Sequence, residues 1–194
     1  MRNTGNNSIR EPAFMIDHTN GNIEGKPVSE SIIFLKDLFD VFEDKQAFYN
    51  LDADRIIYSV QAIFPVAEGV EGGLFYGKTV IEPGKVGNEY FMTKGHFHHK
   101  ADRSEFYWGI QGEGMLILMD EDRNTWAEKM FPGSLHYVNA HIAHRTANTG
   151  NTPLIFGACW PSDAGHNYQE IIDKGFSARL KEVDGRPTLV PGKK

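Results

Sequence analysis

The stretch KGHFHHKADRSEFYWGIQGEGMLILM, residues 94–119, carries the main evidence for the fold and the chemistry of this chain. Its second half contains two short apolar segments, EFYWGI (105–110) and GMLILM (114–119), with glycine-containing turn residues between them. Segments of this length that are rich in branched and aromatic residues are typical of β-strands. Its first half contains two histidines spaced two residues apart, and an acidic residue begins the first apolar segment.

Further segments of the same kind lie on both sides of this stretch. They are RIIYSVQAIF (55–64), GLFYGKTVI (73–81), NEYFMT (88–93), SLHYV (134–138) and PLIFGACW (153–160). Many short strands separated by glycine, proline and asparagine predict an all-β sandwich or barrel. No internal repeat or linker interrupts the pattern, so the chain is predicted to form one domain over residues 1–194.

Two segments are predicted to be helical. Residues 29–50 contain apolar residues at helical spacing, and Ser29 or Ser31 could cap the start of a helix. These apolar residues are Leu35, Leu38, Phe39 and Phe42. The segment NYQEIIDKGF (167–176) predicts a short helix that ends at Gly175.

The composition limits the classes of partner. The formal charge is −6, and no basic run is longer than Lys193 and Lys194, so no nucleic-acid partner is predicted. The single cysteine, Cys159, excludes an intrachain disulfide and argues against a cysteine-based zinc site. The first ten residues lack the apolar stretch of a secretory signal, and no apolar run reaches the length of about 18 residues typical of a membrane span. We therefore expect no membrane association and a cytoplasmic location.

Seven of the eight histidines lie between residues 96 and 166, and three of them form a candidate metal site with one glutamate. His96 and His98 would point to the same face of an extended strand. Glu105 begins the next strand-like segment, and His144 comes from a later one. Three imidazoles and one carboxylate suit Fe(II), Mn, Ni or Zn and can leave coordination positions open for a substrate. We therefore predict one divalent metal ion per chain.

The other histidines in this region are expected to lie outside that site. Strand alternation puts His99 on the face opposite to its two neighbours in the motif, so it is predicted to be exposed to solvent. His136 and His141 are predicted to have structural roles, and His18 has no informative context.

The spacing of these residues resembles the two motifs of the cupin superfamily. The first cupin motif contains HxH, a glutamate and then a glycine, and the second contains a histidine followed by an asparagine. In this chain the matching residues are His96, His98, Glu105, Gly112, His144 and Asn148. The resemblance implies a double-stranded β-helix, or jelly-roll barrel, with a few short peripheral helices. It also implies an N-terminal extension of strand and helix over about residues 1–50.

Six residues separate His98 from Glu105, and this longer spacing resembles one branch, the cupin-type glucose-6-phosphate isomerases of archaea and some bacteria. The stretches that carry the resemblance are IDHTNGNIEG (16–25), TVIEPGKVGNEYFMTKGHFHHKADRSEFYWGIQGEGMLIL (79–118), AHRTANTG (143–150) and PSDAGHNY (161–168). The resemblance implies a metal-dependent aldose–ketose isomerase that interconverts glucose 6-phosphate and fructose 6-phosphate, with Fe(II) as the favoured metal. It also implies a homodimer, and two-fold dimers are common in general.

The resemblance also implies roles for particular residues. Four positions match the metal ligands, three match phosphate-binding positions, two match aromatic residues at the substrate, and one matches a histidine near the reacting end of the sugar. The metal ligands are matched by His96, His98, Glu105 and His144, and the phosphate-binding positions by Thr79, Thr93 and Gly95. The aromatic positions are matched by Tyr107 and Trp160, and the histidine near the reacting end by His166. Trp160 stands where those enzymes commonly carry a tyrosine, so it keeps the aromatic wall but lacks the phenolic hydroxyl.

Two routes for the isomerisation remain open. In one route, Glu105 is the base that removes a proton from the carbon next to the carbonyl, and the reaction passes through an enediolate. In the other route, a hydride moves directly between C1 and C2, and Glu105 only tunes the metal. His166 could protonate the ring oxygen and open the pyranose, because an imidazole titrates near neutral pH.

Three other functions also remain open. An isomerase of another sugar or sugar phosphate would account for Trp160. A cupin dioxygenase could use the same four metal ligands. A sugar-phosphate binder that has lost turnover is the third alternative, and Trp160 is the feature that raises it. Fold alone decides between none of these.

Overall fold

The computed structural model describes residues 9–192, which contain fifteen β-strands, two short α-helices and one 3-10 helix. The strands are β1 (Phe14–Ile16), β2 (Ile23–Gly25), β3 (Ser29–Phe34), β4 (Ile56–Ile63), β5 (Leu74–Ile81), β6 (Lys85–Val86), β7 (Glu89–Tyr90), β8 (Glu105–Gln111), β9 (Gly114–Met119), β10 (Thr125–Met130), β11 (Leu135–Val138), β12 (Ala143–Asn148), β13 (Leu154–Pro161), β14 (Ala178–Val183) and β15 (Arg186–Pro191). The helices are α1 (Lys45–Tyr49) and α2 (Gln169–Lys174), and the 3-10 helix is Leu35–Leu38. Neither α-helix in this range has the length and apolar composition that a membrane crossing requires.

Two antiparallel sheets form the body of the molecule. The larger sheet has the strand order β11-β8-β13-β5-β4-β3, and the smaller sheet has the order β10-β9-β12. Isolated bridges from Met92 to Ala147 and from His96 to His144 join the segment before β8 to the free side of β12. Strands that are far apart in sequence, such as β5 and β13, are neighbours, which is typical of a jelly roll. The predicted all-β, double-stranded β-helix is confirmed.

Apolar residues of both sheets meet in one core. All four residues of Leu116–Met119 on β9 are buried, because this strand is covered on both faces. Phe156 on β13 and Val138 on β11 belong to the same core cluster. Leu180 on β14 also joins this cluster, so the four-stranded sheet β15-β14-β7-β6 packs against the body.

Two motif residues outside the metal cluster have structural roles. Gly112 follows β8 with a φ of +80°, and a Cβ there would lie 2.4 Å from the carbonyl oxygen of Pro153, so only glycine fits. The Nδ2 group of Asn148 donates to the carbonyl oxygens of Ile81 and Thr152, both at 2.9 Å. These residues hold the turn after β8 and the loop after β12 in place.

The predicted helix over residues 29–50 is wrong in its first part. Residues 29–34 form β3, which pairs with β4 at the edge of the larger sheet. The 3-10 helix and α1 are the helical parts of that range. Leu35 and Leu38 are buried by a single turn, so their helical spacing did not reflect a continuous helix. Pairing with an open sheet edge outweighed the local pattern.

The remaining boundaries follow the predictions in part. The helix predicted over residues 167–176 is α2, and it ends at Gly175, which has a φ of +63°. The strand predicted over residues 88–93 is reduced to β7 and the bridge at Met92. Strands β6, β10, β14 and β15 were not predicted. The single domain over 1–194, with its extension of about residues 1–50, stays a prediction, because residues 1–8 and 193–194 lie outside the described range.

Candidate metal centre and substrate cavity

A cavity of about 690 Å³ opens between the two sheets. One wall is the inner face of the larger sheet, because alternate residues of each strand point to the same side. Ser31, Val60, Thr79 and Phe156 form one row across β3, β4, β5 and β13. Most residues of the predicted site line this cavity: Thr79, Thr93, Gly95, His96, Glu105, Tyr107, His144, Trp160 and His166. The remaining one, His98, is buried beside them.

The four predicted metal ligands converge in one place. Their ligand atoms all lie within 4.8 Å of one another. Oε1 of Glu105 is 2.5 Å from Nε2 of His144 and 3.5 Å from Nε2 of His98. Two backbone hydrogen bonds, of 3.2 and 3.0 Å, join His96 to His144. This isolated bridge, rather than a regular strand, aligns the two imidazoles.

Unpaired polar atoms in this cluster fit a metal ion. Three ligand atoms are buried without a hydrogen bond of acceptable geometry: His96 Nε2, Glu105 Oε1 and His144 Nε2. The 2.5 Å approach of Glu105 Oε1 to His144 Nε2 lacks the geometry of a hydrogen bond. Such atoms are costly to bury unless something binds them. Nδ1 of His98 lies 2.8 Å from the carbonyl oxygen of Arg103, and Nδ1 of His144 lies 3.2 Å from that of Ile142. Each carbonyl can accept only from an Nδ1–H group, which leaves the lone pair of Nε2 for a metal.

Burial and neighbouring charges set the protonation of the cluster. Burial alone would raise the pKa of Glu105, but the imidazoles of His144 and His98 outweigh it and hold this pKa far below its usual value. Burial, and then the nearby His144, lowers the pKa of His96 well below its usual value. Burial opposes a charge on His98, but the neighbouring carboxylate of Glu105 outweighs burial and raises the pKa of His98. A metal ion would displace that proton, because a carboxylate and neutral imidazoles are the forms that bind metals.

The segment Thr93–Gly95 presents hydrogen-bond donors to the cavity. Oγ1 of Thr93 accepts a hydrogen bond from the backbone N–H of Thr146 at 3.0 Å, so its own O–H group remains available to donate. The N–H of Gly95 donates to no acceptor in the described part of the chain. A hydroxyl and a backbone N–H close together suit an anionic oxygen.

Tyr107 and His166 flank the ligand cluster. Tyr107 stacks on Phe156 with ring centroids 5.3 Å apart. Burial, and then the charge of Glu105, raises the pKa of Tyr107 well above its usual value, so its hydroxyl stays protonated. The ring centroid of His166 lies 4.4 Å from that of His96. Packing around the ring lowers the pKa of His166, which favours the neutral imidazole.

Trp160 forms an aromatic part of the cavity wall. Its ring meets Phe75 edge to face, with centroids 6.0 Å apart. A Cβ on Gly77 would lie 3.0 Å from the same ring, so glycine on β5 makes room for the indole. The wall at this point therefore carries an aromatic ring without a hydroxyl group.

Two tyrosines that line the cavity, Tyr58 and Tyr168, were given no role by the sequence. Burial raises the pKa of Tyr58 to about 12, so its hydroxyl remains a donor at neutral pH. Tyr58 lies two residues before Val60 on β4, and strand alternation could have placed it on the cavity face. Tyr168 stacks on His166, with ring centroids 5.5 Å apart. It is the last residue of PSDAGHNY (161–168), one of the stretches that resemble the isomerase family.

The other histidines lie outside the ligand cluster. His99 is exposed, as predicted, but it lies in a bend rather than on a strand, so strand alternation is not the reason for its exposure. His136 is buried, and its ring nitrogens lie 2.7 Å from Oε2 of Glu128 and 2.9 Å from Oγ of Ser134. His141 is exposed and has a φ of +65°.

Comparison with known protein families decides where the chain belongs. The model of the family described as Glucose-6-phosphate isomerase (GPI) matches residues 34–188. The chain belongs to the glucose-6-phosphate isomerase family. This confirms the predicted family and, with it, the class of aldose–ketose isomerases.

Individual relatives agree with this membership. The chain is 48% identical to the glucose-6-phosphate isomerase of Thermococcus kodakarensis over 158 residues, 80% of this chain and 82% of that protein. It is 42% identical to the glucose-6-phosphate isomerase of Thermococcus litoralis over 173 residues, 88% of this chain and 89% of that protein. Among solved structures, it is similar to the Lactobacillus farciminis oxalate decarboxylase formate complex, with a TM-score of 0.44 and 20% identity. That likeness covers 57% of this chain and only 30% of the decarboxylase, and it carries no argument about activity.

Proposed function

We propose that this protein interconverts glucose 6-phosphate and fructose 6-phosphate with the help of one divalent metal ion. Fe(II) is the favoured ion, and Mn, Ni or Zn suit the same ligands. The observation that carries this function is the convergence of four ligand atoms within 4.8 Å of one another beside a cavity that also presents free donors. The ligands are His96, His98, Glu105 and His144. A cavity of about 690 Å³ is large enough for a hexose phosphate.

The chemistry is assigned to residues around the ligand cluster. When bound, the metal would polarise the oxygens on C1 and C2 of the sugar and favour negative charge there. Glu105 is the proposed base, which would take a proton from C2 and return it to C1. If a hydride moves directly between C1 and C2 instead, Glu105 serves only as a ligand of the metal. His166 would move a proton at the ring oxygen, and the protonated hydroxyl of Tyr107 would donate to a sugar oxygen.

The phosphate is proposed to bind away from the metal. The hydroxyl of Thr93 and the N–H of Gly95 are free donors, and Thr79 on β5 lines the same cavity. The protonated hydroxyl of Tyr58 adds a further donor. Hydrogen bonds from such groups to a phosphate dianion are charge-assisted and therefore strong.

Trp160 supports a second candidate, an isomerase of another sugar phosphate. The indole keeps an aromatic wall beside Phe75 but offers no hydroxyl at that point. A sugar phosphate that needs a hydrogen bond from a phenol beside Phe75 would bind with lower affinity. A sugar phosphate with a less polar surface at that position would keep its affinity. Assaying several hexose and pentose phosphates under identical conditions would separate the two candidates.

A homodimer is proposed from the outer face of the larger sheet. Leu135, Tyr137 and Phe106 are exposed there on neighbouring strands, and the rings of Tyr137 and Phe106 lie 5.0 Å apart. An exposed apolar patch of this kind favours coverage by another surface, and a second copy is the commonest partner. Light scattering of the native protein and of Phe106→Glu tests this assignment. A monomeric native protein would contradict it.

The central test is a coupled assay that converts fructose 6-phosphate and detects glucose 6-phosphate. Treatment with EDTA should abolish activity, and Fe(II), Mn(II), Ni(II) or Zn(II) should restore part of it. Mg(II), which prefers an all-oxygen ligand set, is the matched control and should restore little. Full activity in protein that elemental analysis finds free of metal would refute the metal dependence. No conversion by metal-loaded protein would refute the isomerase function.

A further inference from the structure

A buried arginine lies directly behind the segment that is proposed to bind phosphate. Arg145 on β12 is 7% exposed, and it forms no ion pair with a carboxylate among residues 9–192. Its guanidinium lies over the ring of Phe176, 4.2 Å from the centroid. Nη2 donates to the carbonyl oxygen of Lys94 at 2.8 Å, and Nη1 contacts the sulfur of Met92.

Nearby acidic groups leave the charge of Arg145 uncompensated. Glu89 is the acid whose charge acts on Arg145, but Oε1 of Glu89 is paired with Arg179 at 2.7 Å. The other oxygen of Glu89 accepts a hydrogen bond from a backbone N–H, also at 2.7 Å. Asp37 and Asp40 border a small pocket beside Arg145 without forming an ion pair with it. A buried cation without a counter-ion is costly, so its retention calls for a compensating anion.

One peptide group links this cation to the cavity. The carbonyl of Lys94 and the N–H of Gly95 are the two ends of the same peptide group, and the N–H has no protein acceptor in the described chain. Donation from Arg145 to the carbonyl polarises that group and makes the N–H a stronger donor. Gly95 has a φ of +78°, and a Cβ there would lie 2.8 Å from Nε of Arg145. Glycine therefore permits both the backbone conformation and the close approach of the guanidinium.

We propose that Arg145 is a positioning residue that makes the cavity select phosphorylated over unphosphorylated sugars without touching the substrate. It acts by polarising the Gly95 N–H and by supplying positive charge behind Thr93–Gly95. This role rests on the proposed function, because it requires the phosphate to bind at that segment.

The test compares two ligands that differ only in the phosphate, 5-phosphoarabinonate and arabinonate. Their dissociation constants are measured by calorimetry with the metal-loaded protein and with Arg145→Gln, which removes the charge but keeps a donor. Arg145→Gln should bind 5-phosphoarabinonate about tenfold more weakly, the effect expected from losing one charge several ångströms from a dianion. Binding of arabinonate and the metal content should stay within about twofold of native. Equal weakening of both ligands, or no weakening of either, would overturn the role.

A second variant keeps the test decisive if Arg145→Gln does not fold. Arg145→Lys retains the charge in a buried position, so it should keep most of the preference for the phosphorylated ligand. A folded Arg145→Lys protein that has lost this preference would also overturn the role. The affinities of the native protein for the two ligands test the proposed function itself. If the native protein binds 5-phosphoarabinonate no more tightly than arabinonate, there is no phosphate site for Arg145 to support.

Discussion

Replacing Thr93 with valine separates its structural contact from its proposed contact with phosphate. Oγ1 of Thr93 accepts the N–H of Thr146 at 3.0 Å, and its O–H group is free to donate to a ligand. Valine has nearly the same shape but neither function. Loss of the first contact should lower the free energy of unfolding by about 1 kcal/mol. Loss of the second, a hydrogen bond to a charged group worth about 1.5–3 kcal/mol, should weaken binding of a phosphorylated ligand about 10- to 150-fold.

The measurement uses calorimetry with 5-phosphoarabinonate and arabinonate, together with urea unfolding. Thr93→Ser is the matched control, because serine keeps the hydroxyl and loses only a methyl group. It should bind both ligands almost as the native protein does. For Thr93→Val, the affinity for arabinonate should change by less than about twofold, because that ligand places no phosphate near the hydroxyl. An unchanged dissociation constant for 5-phosphoarabinonate, or an equal loss for both ligands, would remove Thr93 from the phosphate site.

Three further predictions concern the metal cluster and its surroundings. His144→Ala should lose the metal, because one of four converging ligand atoms is removed, whereas His99→Ala should keep it, because that side chain is exposed; equal metal content by elemental analysis would refute the ligand assignment. Glu105→Gln should lower kcat about 100-fold or more at retained metal if the carboxylate is a base, and C2 deuterium should then wash partly into water; near-native kcat with full retention of deuterium would reduce Glu105 to a ligand. Asp163→Asn should lower the free energy of unfolding at pH 7, because Arg103 and then Lys100 hold the pKa of this carboxyl far below its usual value. The depressed pKa stabilises the fold fully above the unfolded value of about 4, and this contribution is lost progressively as the pH falls from there towards the lower native pKa. The gap between native and variant in urea unfolding should therefore close over that acidic range; a gap that does not depend on pH would contradict this.

Several features of the molecule were readable from local sequence. The alternation of short apolar segments with glycine, proline and asparagine predicted the strands around the cavity. Short segments of branched and aromatic residues that are bounded by turn residues are typical of β-strands. The spacing of His96, His98, Glu105 and His144 predicted a cluster that the fold brings within 4.8 Å. Gly175 marked the end of α2, because a positive φ there favours glycine.

Other features depended on contacts between distant parts of the chain. Residues 29–34 were predicted to be helical from the spacing of the apolar residues that follow them, and they form β3 because the edge of β4 is open to pair with them. The two imidazoles of His96 and His144 are aligned by a single bridge between segments nearly fifty residues apart in sequence. The pKa of Tyr58 is high because the residue is buried, and that burial comes from other parts of the chain that pack over β4. The sequence by itself thus determined which residue types could bind a metal and which segments could be strands, since both follow from local spacing. Only the tertiary structure decided that Arg145 is buried without a counter-ion behind Gly95, because burial and charge pairing depend on which surfaces meet when the sheets close.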